Sequence, residues 1–142
     1  MKTALITGSA ARIGAEIVKT LHSNNFKVII HCNQSQAKAQ ILSDELNSLR
    51  QNSAQIIIGD LNNIEVINSI NEEVTSLDLL VNNASIFYPN SVESSSIDDW
   101  DNILNINLRA PFFLSQGLSK KLAKNNGSTF QKVSQQQNVT CG

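Results

Sequence analysis

Short apolar runs alternate along the chain with longer stretches whose apolar residues recur every three or four positions. That is the pattern of strands separated by helices in repeated βαβ units. Thr3 to Thr7 predicts a first strand, Lys27-Val28-Ile29-Ile30-His31 a second, Ala54 to Gly59 a third, and Asp78-Leu79-Leu80-Val81 a fourth. Their Ile, Leu and Val runs are not broken by polar residues, which predicts strands covered on both faces. Between them, Ile13, Ile17, Val18 and Leu21 share one face of a helix ending at Asn24-Asn25. Ile41, Leu42, Leu46 and Leu49 are expected to face the sheet from a helix beginning near Ser35. Ile67, Ile70 and Val74 mark a third helix, capped by Asn62 or Asn63.

Beyond the fourth strand, Ser96-Ile97-Asp98-Asp99 has the Ser-x-x-acid pattern of a capping box. It opens a long helix through Trp100, Ile103, Leu104, Leu108 and Phe112, in which Trp100 is expected to pack in the core and Pro111 to introduce a kink. Asn125-Asn126-Gly127 predicts the helix stop, with Gly127 in the left-handed conformation. From Ser128 to Gly142 the sequence is polar and Gln-rich, with Phe130 and Val133 as its main apolar residues. A fifth buried strand should resemble the other four, and this segment does not. The expectation is therefore one domain over 1–127, its sheet ending after the fourth strand and the long helix, and a disordered tail over 128–142.

Composition adds little. Hydrophobic residues make up 41% and charged residues 16% of the 142, with a formal net charge of −1. That balance suits a soluble globular protein and gives no reason to expect nucleic acid or a membrane surface as partner. No apolar stretch approaches the roughly 20 residues of a membrane span. The first residues, Met1 to Gly8, run straight into a glycine turn with no cleavage-site pattern, so no signal peptide is expected. Cys32 and Cys141 lie far apart and suggest neither a metal site nor a disulfide framework. A reduced, cytoplasmic setting is the expectation.

The candidate chemistry begins directly after the first strand, in Thr7-Gly8-Ser9-Ala10-Ala11-Arg12-Ile13-Gly14. Gly8 permits a tight turn, Gly14 lets helix and strand approach closely, and the helix N-terminus offers free N–H groups to a pyrophosphate. Two glycines alone would equally serve a purely structural turn; the flanking strand and helix favour a nucleotide. The block resembles the Thr-Gly-x-x-x-[Arg/Gly]-Ile-Gly fingerprint of short-chain dehydrogenase/reductases. Asp60-Leu61 after the third strand, Asn82-Asn83-Ala84-Ser85 at the end of the fourth, and Trp100 seven residues before Asn107 match that family's further blocks in order, over about residues 1 to 118. The resemblance implies an α/β, Rossmann-like doubly wound parallel sheet. It also implies a cofactor site at Gly8, Arg12, Ile13, Gly14, Asn33, Ser35, Asp60, Leu61, Asn83 and Ala84, and Asn107 as the family's active-site Asn.

Arg12 stands where many relatives have Gly, Ser85 replaces their usual Gly, and Asn83 to Pro89 is similar to the loop that holds the pterin in pteridine reductases. By that resemblance Arg12, Ser85 and Phe87 would bind substrate, a pterin or another carbonyl-type small molecule, with Phe87 stacked on the ring. Ordinary loop packing of Phe87 and Tyr88 is the competing reading. The block His31-Cys32-Asn33-Gln34-Ser35 carries no acid to hold a ribose 2′-hydroxyl and repel a 2′-phosphate, which favours NADPH/NADP over NAD. Pteridine reductases usually carry an Arg in this block; here Gln34 stands in its place.

In the family a Tyr donates the proton and a Lys four residues later lowers its pKa. The single tyrosine here, Tyr88, is followed four residues on by Val92, and no Tyr-x-x-x-Lys occurs in the sequence. Ser134 falls near the family's Ser or Asp, without the strand signature around it. Two readings follow: a truncated or frameshifted chain of an NADPH-dependent pteridine reductase, or a non-catalytic nucleotide-binding module acting through a partner chain. The family would be homo-oligomeric through the long helix. Among other residues, His22 is expected on an exposed helix face, His31 to make a loop contact, and Asn107, without the family's Tyr and Lys, only to kink the helix. No metal site is expected.

Overall fold

A computed structural model describes residues 1–131. Five strands form one parallel sheet in the order β3-β2-β1-β4-β5: β1 (Lys2–Ile6), β2 (Phe26–Cys32), β3 (Ala54–Ile58), β4 (Leu79–Asn82) and β5 (Ser128–Gln131). The helices are α1 (Arg12–Ser23), α2 (Gln36–Leu49), α3 (Ile64–Glu73), α4 (Ile97–Leu104) and α5 (Ala110–Lys124), with a π-helical stretch at Asn105–Arg109 joining the last two. Strand side chains alternate between two cores. Leu5, Ile29, Ile57 and Leu80 meet α3 and α5, while Ala4, Ile6, Val28, Ile30 and Val81 meet α1 and α2. Over β1, β2 and β4 both faces are covered, which is why these strands show no polar alternation.

The chain runs β1, β2, β3 outward on one side and then returns to place β4 on the other side of β1. The sheet thus reverses direction at β1, and a crevice opens at the carboxyl ends of β1 and β4. Three junctions from helix to strand share one device. Asn25 (φ 67), Asn52 (φ 57) and Asn126 (φ 52) each take the left-handed conformation after α1, α2 and α5. Asn tolerates that region better than most non-glycine residues. At the last junction the left-handed residue is therefore Asn126, not Gly127. Gly127 is needed for another reason: a Cβ there would lie 2.4 Å from the carbonyl oxygen of Asp78.

That close approach corrects the expectation that the sheet ends after four strands. The amide of Ser128 donates to Asp78 O at 2.9 Å, and Ser128 to Gln131 pair in parallel with Leu79 to Asn82. Pairing uses backbone groups only, and all four β5 residues are exposed, so the strand carries no apolar signature. The rest of the expected tail, with Val133, Ser134 and Cys141, lies outside the described residues.

Other expectations are also corrected. The buried stripe of α2 is Ala39, Leu42, Ser43 and Leu46; Ile41 and Leu49 fall outside it and are exposed. Ile13, at the start of α1, is likewise exposed. α4 buries no residue, and Trp100 stands 65% exposed rather than in the core. The capping box at Ser96 and Asp99 is formed, and Asn63 caps α3 through the amide of Glu65. Just before Pro111 the helix widens: the Ala110 amide donates to Asn105 O, five residues back. Pro111 has no amide to give Asn107 O, so regular winding fails at this turn.

His22 is buried, not exposed. Its Nε2 lies 2.6 Å from Ser53 Oγ, while the Arg50 guanidinium donates to His22 O and Phe26 O, joining α1, α2 and β2. Beside it, Asn47 Oδ1 accepts from the amides of Ser53 (2.9 Å) and Ala54 (3.0 Å), and its Nδ2 donates to Ala54 O (2.9 Å). Among the described residues no helix is long and apolar enough to cross a membrane, and no group of His, Cys, Asp and Glu is placed to hold a metal.

Two stability effects follow. Asn47→Ala strands two amides and a carbonyl at the start of β3 and should cost roughly 2–4 kcal/mol in denaturant unfolding. A loss below about 0.5 kcal/mol would show that water replaces those bonds. The second effect is acid sensitivity. Burial, with the Arg50 cation adding to it, lowers the pKa of His22 below its ordinary 6.5. Between 6.5 and the folded value the unfolded chain binds more protons, so this part of the stability is complete above pH 6.5 and is lost as the pH falls below it. His22→Gln should flatten the acid slope of unfolding free energy between pH 7 and 5. An unchanged slope would assign the acid sensitivity elsewhere.

Candidate functional site

Loops from the carboxyl ends of β1 to β4 enclose a cleft of about 420 Å³ lined by Gly8, Ala11, Arg12, Ile13, Gly14, His31, Asn33, Asp60, Leu61, Asn83, Ala84, Ser85, Ile86 and Ile106. One wall is the turn after β1. Gly8 is left-handed (φ 57), and a Cβ on it would sit 2.8 Å from the Cα of Ala84. A Cβ on Gly14 would meet Gly8 O at 2.5 Å and Ser9 Cα at 2.6 Å. Both positions therefore require glycine, Gly8 for conformation and contact, Gly14 for contact alone.

Hydrogen bonds fasten this turn to β4. Asn83 Nδ2 donates to Thr7 O (3.1 Å) and Gly8 O (2.9 Å), while Thr7 Oγ1 accepts from the amides of Asn83 (3.1 Å) and Ala84 (3.0 Å). A second set fastens it to β2. The Ser9 amide donates to His31 O (2.9 Å), the Gly8 amide to His31 Nδ1 (3.1 Å), and His31 Nε2 lies 2.9 Å from Gly59 O. An amide can only donate, so Nδ1 is bare and the proton sits on Nε2. Burial lowers the pKa of His31 below 6.5, although the Gly59 carbonyl and the Asp60 carboxylate pull it back upward.

The helix that follows the turn starts without a cap. Ala11 supplies no side-chain bond and the first turn holds no acid; the first intrahelical bond is donated by Ala15 to Ala11 O. The amides of Arg12, Ile13 and Gly14 thus stand outside the ladder at the positive end of the helix, beside the cleft. Arg12 is exposed and left-handed (φ 53). That conformation gives a physical reason for glycine to be favoured at this position.

The opposite wall is the loop after β4, held by Asn107. Its Oδ1 accepts from the Ile86 amide (2.9 Å) and its Nδ2 donates to Ile86 O (2.8 Å). Asn107 therefore anchors the loop carrying Ser85 and Phe87; it does more than bend the helix. Its own stretch is tied down in turn. Asn62 bonds both Asn102 and Asn105, and Arg109 donates to Asn62 O.

Of the residues singled out in the sequence, Gly8, Arg12, Ile13, Gly14, Asn33, Asp60, Leu61, Asn83, Ala84 and Ser85 line the cleft together. Ser35, just ahead of α2, and Phe87, 68% exposed, are not among the lining residues, and Asn107 acts from behind the loop. Thr7 and His31 were not assigned to the site. Thr7 belongs to the fingerprint itself, and His31 is a polar residue at the end of an otherwise apolar strand; those were the available signals.

Comparison with known proteins agrees with this geometry. The family model described as short chain dehydrogenase matches residues 2–139. Pteridine reductase 1 of Leishmania tarentolae is 30% identical over 84% of this chain and 54% of its own length. The 3-oxoacyl-[acyl-carrier-protein] reductase FabG of Rickettsia typhi is 35% identical over 85% of this chain and 48% of its own. Among solved structures, FolM alternative dihydrofolate reductase 1 from Brucella suis, in complex with NADP, superposes with a TM-score of 0.82 at 30% identity, covering 92% of this chain and 56% of that one. A short chain dehydrogenase from Burkholderia cenocepacia J2315, also in complex with NADP, gives 0.81 at 34% identity, over 85% and 51%. The chain spans about half the length of the curated relatives it matches. By the family match and by its fold, this chain belongs to the short-chain dehydrogenases.

Proposed function

We propose that the chain forms the dinucleotide-binding part of an NADPH-dependent oxidoreductase whose substrate is a pterin or a related small heteroaromatic compound. One observation carries the first half of this reading: an uncapped helix start above a glycine cradle that no Cβ fits, fixed to β4 by Asn83 and Thr7. Such a cradle fits a diphosphate, since the free amides and the helix dipole favour an anion where backbone must come close. The relatives solved with NADP lend it support.

The amides from Arg12 to Gly14 and the Arg12 guanidinium would hold the diphosphate, and Asp60 and Leu61 the adenine. Asn33 and Ser35, with no acid in the 31–35 block, would accept a 2′-phosphate, and Asn83 and Ala84 border the inner end of the cleft. A bound nicotinamide supplies the hydride. Ser85 and Phe87 would take the substrate, on a loop whose position Asn107 sets. The pterin choice rests on Arg12, Ser85 and that loop, and on the pteridine reductase and FolM relatives; the FabG relatives keep an acyl carbonyl as the competitor. A cytoplasmic setting accords with the buried free thiol of Cys32. A second reading, a binding module acting through a partner chain, draws on the exposed Trp100, Leu108 and Phe112.

The 142-residue polypeptide should bind NADPH, seen as enhanced nicotinamide fluorescence, yet show no turnover of dihydrobiopterin, because its sequence offers no Tyr-x-x-x-Lys to donate the proton. Failure to bind would sink the dinucleotide reading, and turnover would sink the assignment of roles. Arg12→Gly separates backbone from charge. It removes a left-handed non-glycine residue, so stability should hold within about 1 kcal/mol, while NADPH affinity falls roughly tenfold with the guanidinium gone. Equal affinity in fluorescence titration would remove Arg12 from the site.

A further inference from the structure

We propose that His31 is a positioning residue for this cleft: its neutral ring ties the Gly8 amide to the Gly59 carbonyl and so sets the phosphate turn against the strand exit that carries Asp60. The inference rests on the dinucleotide reading above and adds to it a residue that holds the two ends of the adenosine diphosphate site at one spacing. His31 is 2% exposed, and three backbone groups converge on it: the amides of Gly8 and Ser9 and the carbonyl of Gly59. Strand pairing with Ile57 fixes its backbone. Both ring nitrogens are therefore occupied by main chain, which leaves none for acid–base work, metal or substrate. The ring's part is to hold the loop.

The bond to Gly8 also specifies a protonation state. A proton on Nδ1 would set two donors, Nδ1–H and the Gly8 amide, against each other at about 3 Å, and the turn would have to move. The charged side chains lining the cleft around the ring are Asp60, at the exit of β3, and Arg12, at the start of α1; the first turn of α2 adds no acid. Burial outweighs Asp60 and keeps the ring neutral. The strut is therefore intact at neutral pH and released in acid.

Side-chain amides can replace the two ring nitrogens one at a time. An Asn amide oxygen falls near Nδ1, so His31→Asn keeps an acceptor for Gly8 and gives up Gly59; a Gln amide nitrogen falls near Nε2, so His31→Gln does the reverse. Calorimetric titration with NADP⁺ at pH 7.5 should show His31→Gln and His31→Asn each binding roughly tenfold more weakly than wild type, because each cuts one end of the tie and so loses the worth of one hydrogen bond. As the pH falls through the ring's own titration, followed by its ¹⁵N shifts, the gap between wild type and His31→Gln should close, a comparison in which the cofactor's own phosphate titration cancels. Either variant within twofold of wild type, or a gap to His31→Gln that stays constant across the ring's titration, would overturn the proposal.

A second measurement needs neither cofactor nor variant. In ¹⁵N-labelled wild type the imidazole should report the Nε2–H tautomer, and the exchange protection of the Gly8 amide should drop across the ring's titration. Protection that ignores the ring's state would also overturn the strut. Wild type that fails to bind NADP⁺ refutes the dinucleotide reading, whereas normal binding with unaltered variants refutes only the role of His31.

Discussion

The site depends on a single close approach, backbone against backbone at the exit of β1. Gly8 meets Ala84, Gly14 meets Gly8, and Asn83 lies across both with its amide bonded to the turn. Four hydrogen bonds made through the side chains of Asn83 and Thr7, each worth about 1 kcal/mol net, sum to about 4 kcal/mol. That is a large share of the 5–15 kcal/mol typical of a whole domain. The turn is consequently formed before any ligand arrives, and binding need not order it. The arrangement also has a cost. Asn82 Oδ1 and Asn83 Oδ1 are buried without a hydrogen-bond partner among the described residues. Conflicts of that kind concentrate where function, rather than stability, sets the geometry.

Sheet order explains why so many distant residues meet there. Because β1 lies between β2 and β4, the loop after β1 is flanked by the ends of both neighbours, and β3 adds a third loop one strand further out. Residues near positions 8, 31, 60 and 84 thus come together although some 75 residues separate the first from the last. Over β1, β2 and β4 neither side of the sheet is open, since helices cover one face through Leu5, Ile29 and Leu80 and the other through Ile6, Ile30 and Val81. At the carboxyl ends of the strands, polar groups from four loops converge on open space.

What could be read from the sequence follows the same division. The first four strands were legible because their buried positions leave nearly continuous Ile, Leu and Val. The phosphate turn was legible because glycine is required twice at fixed spacing. β5 was not, since its side chains are exposed and its bonds are made by backbone alone. The α2 stripe was misjudged because Ile41 and Leu49 are apolar residues outside the buried positions, which Ala39 and Ser43 occupy instead. His22 is buried where exposure is expected, and His31 makes the expected loop contact with partners the sequence does not name, for a common reason. A buried histidine is defined by the partners it finds across the fold, Ser53 for one and Gly8 with Gly59 for the other, and no local pattern announces them.

The helix after β4 shows how one irregularity can serve the cleft. Pro111 withholds the amide that Asn107 O would accept in regular winding, and the turn from Asn105 to Arg109 widens in response. A wide turn would be free to shift, yet Asn62 fastens it through Asn102, Asn105 and Arg109, so its position is tied to the loop after β3. Asn107 then transmits that position to Ile86 by two bonds, one to the amide and one to the carbonyl. The wall that carries Ser85 is thereby referenced to the β3 side of the molecule, the same side on which Asp60 stands. Both walls of the cleft are set against β3, one through His31 and Gly59 and the other through Asn62. A width fixed from two directions suits a rigid ligand of constant length better than a variable one.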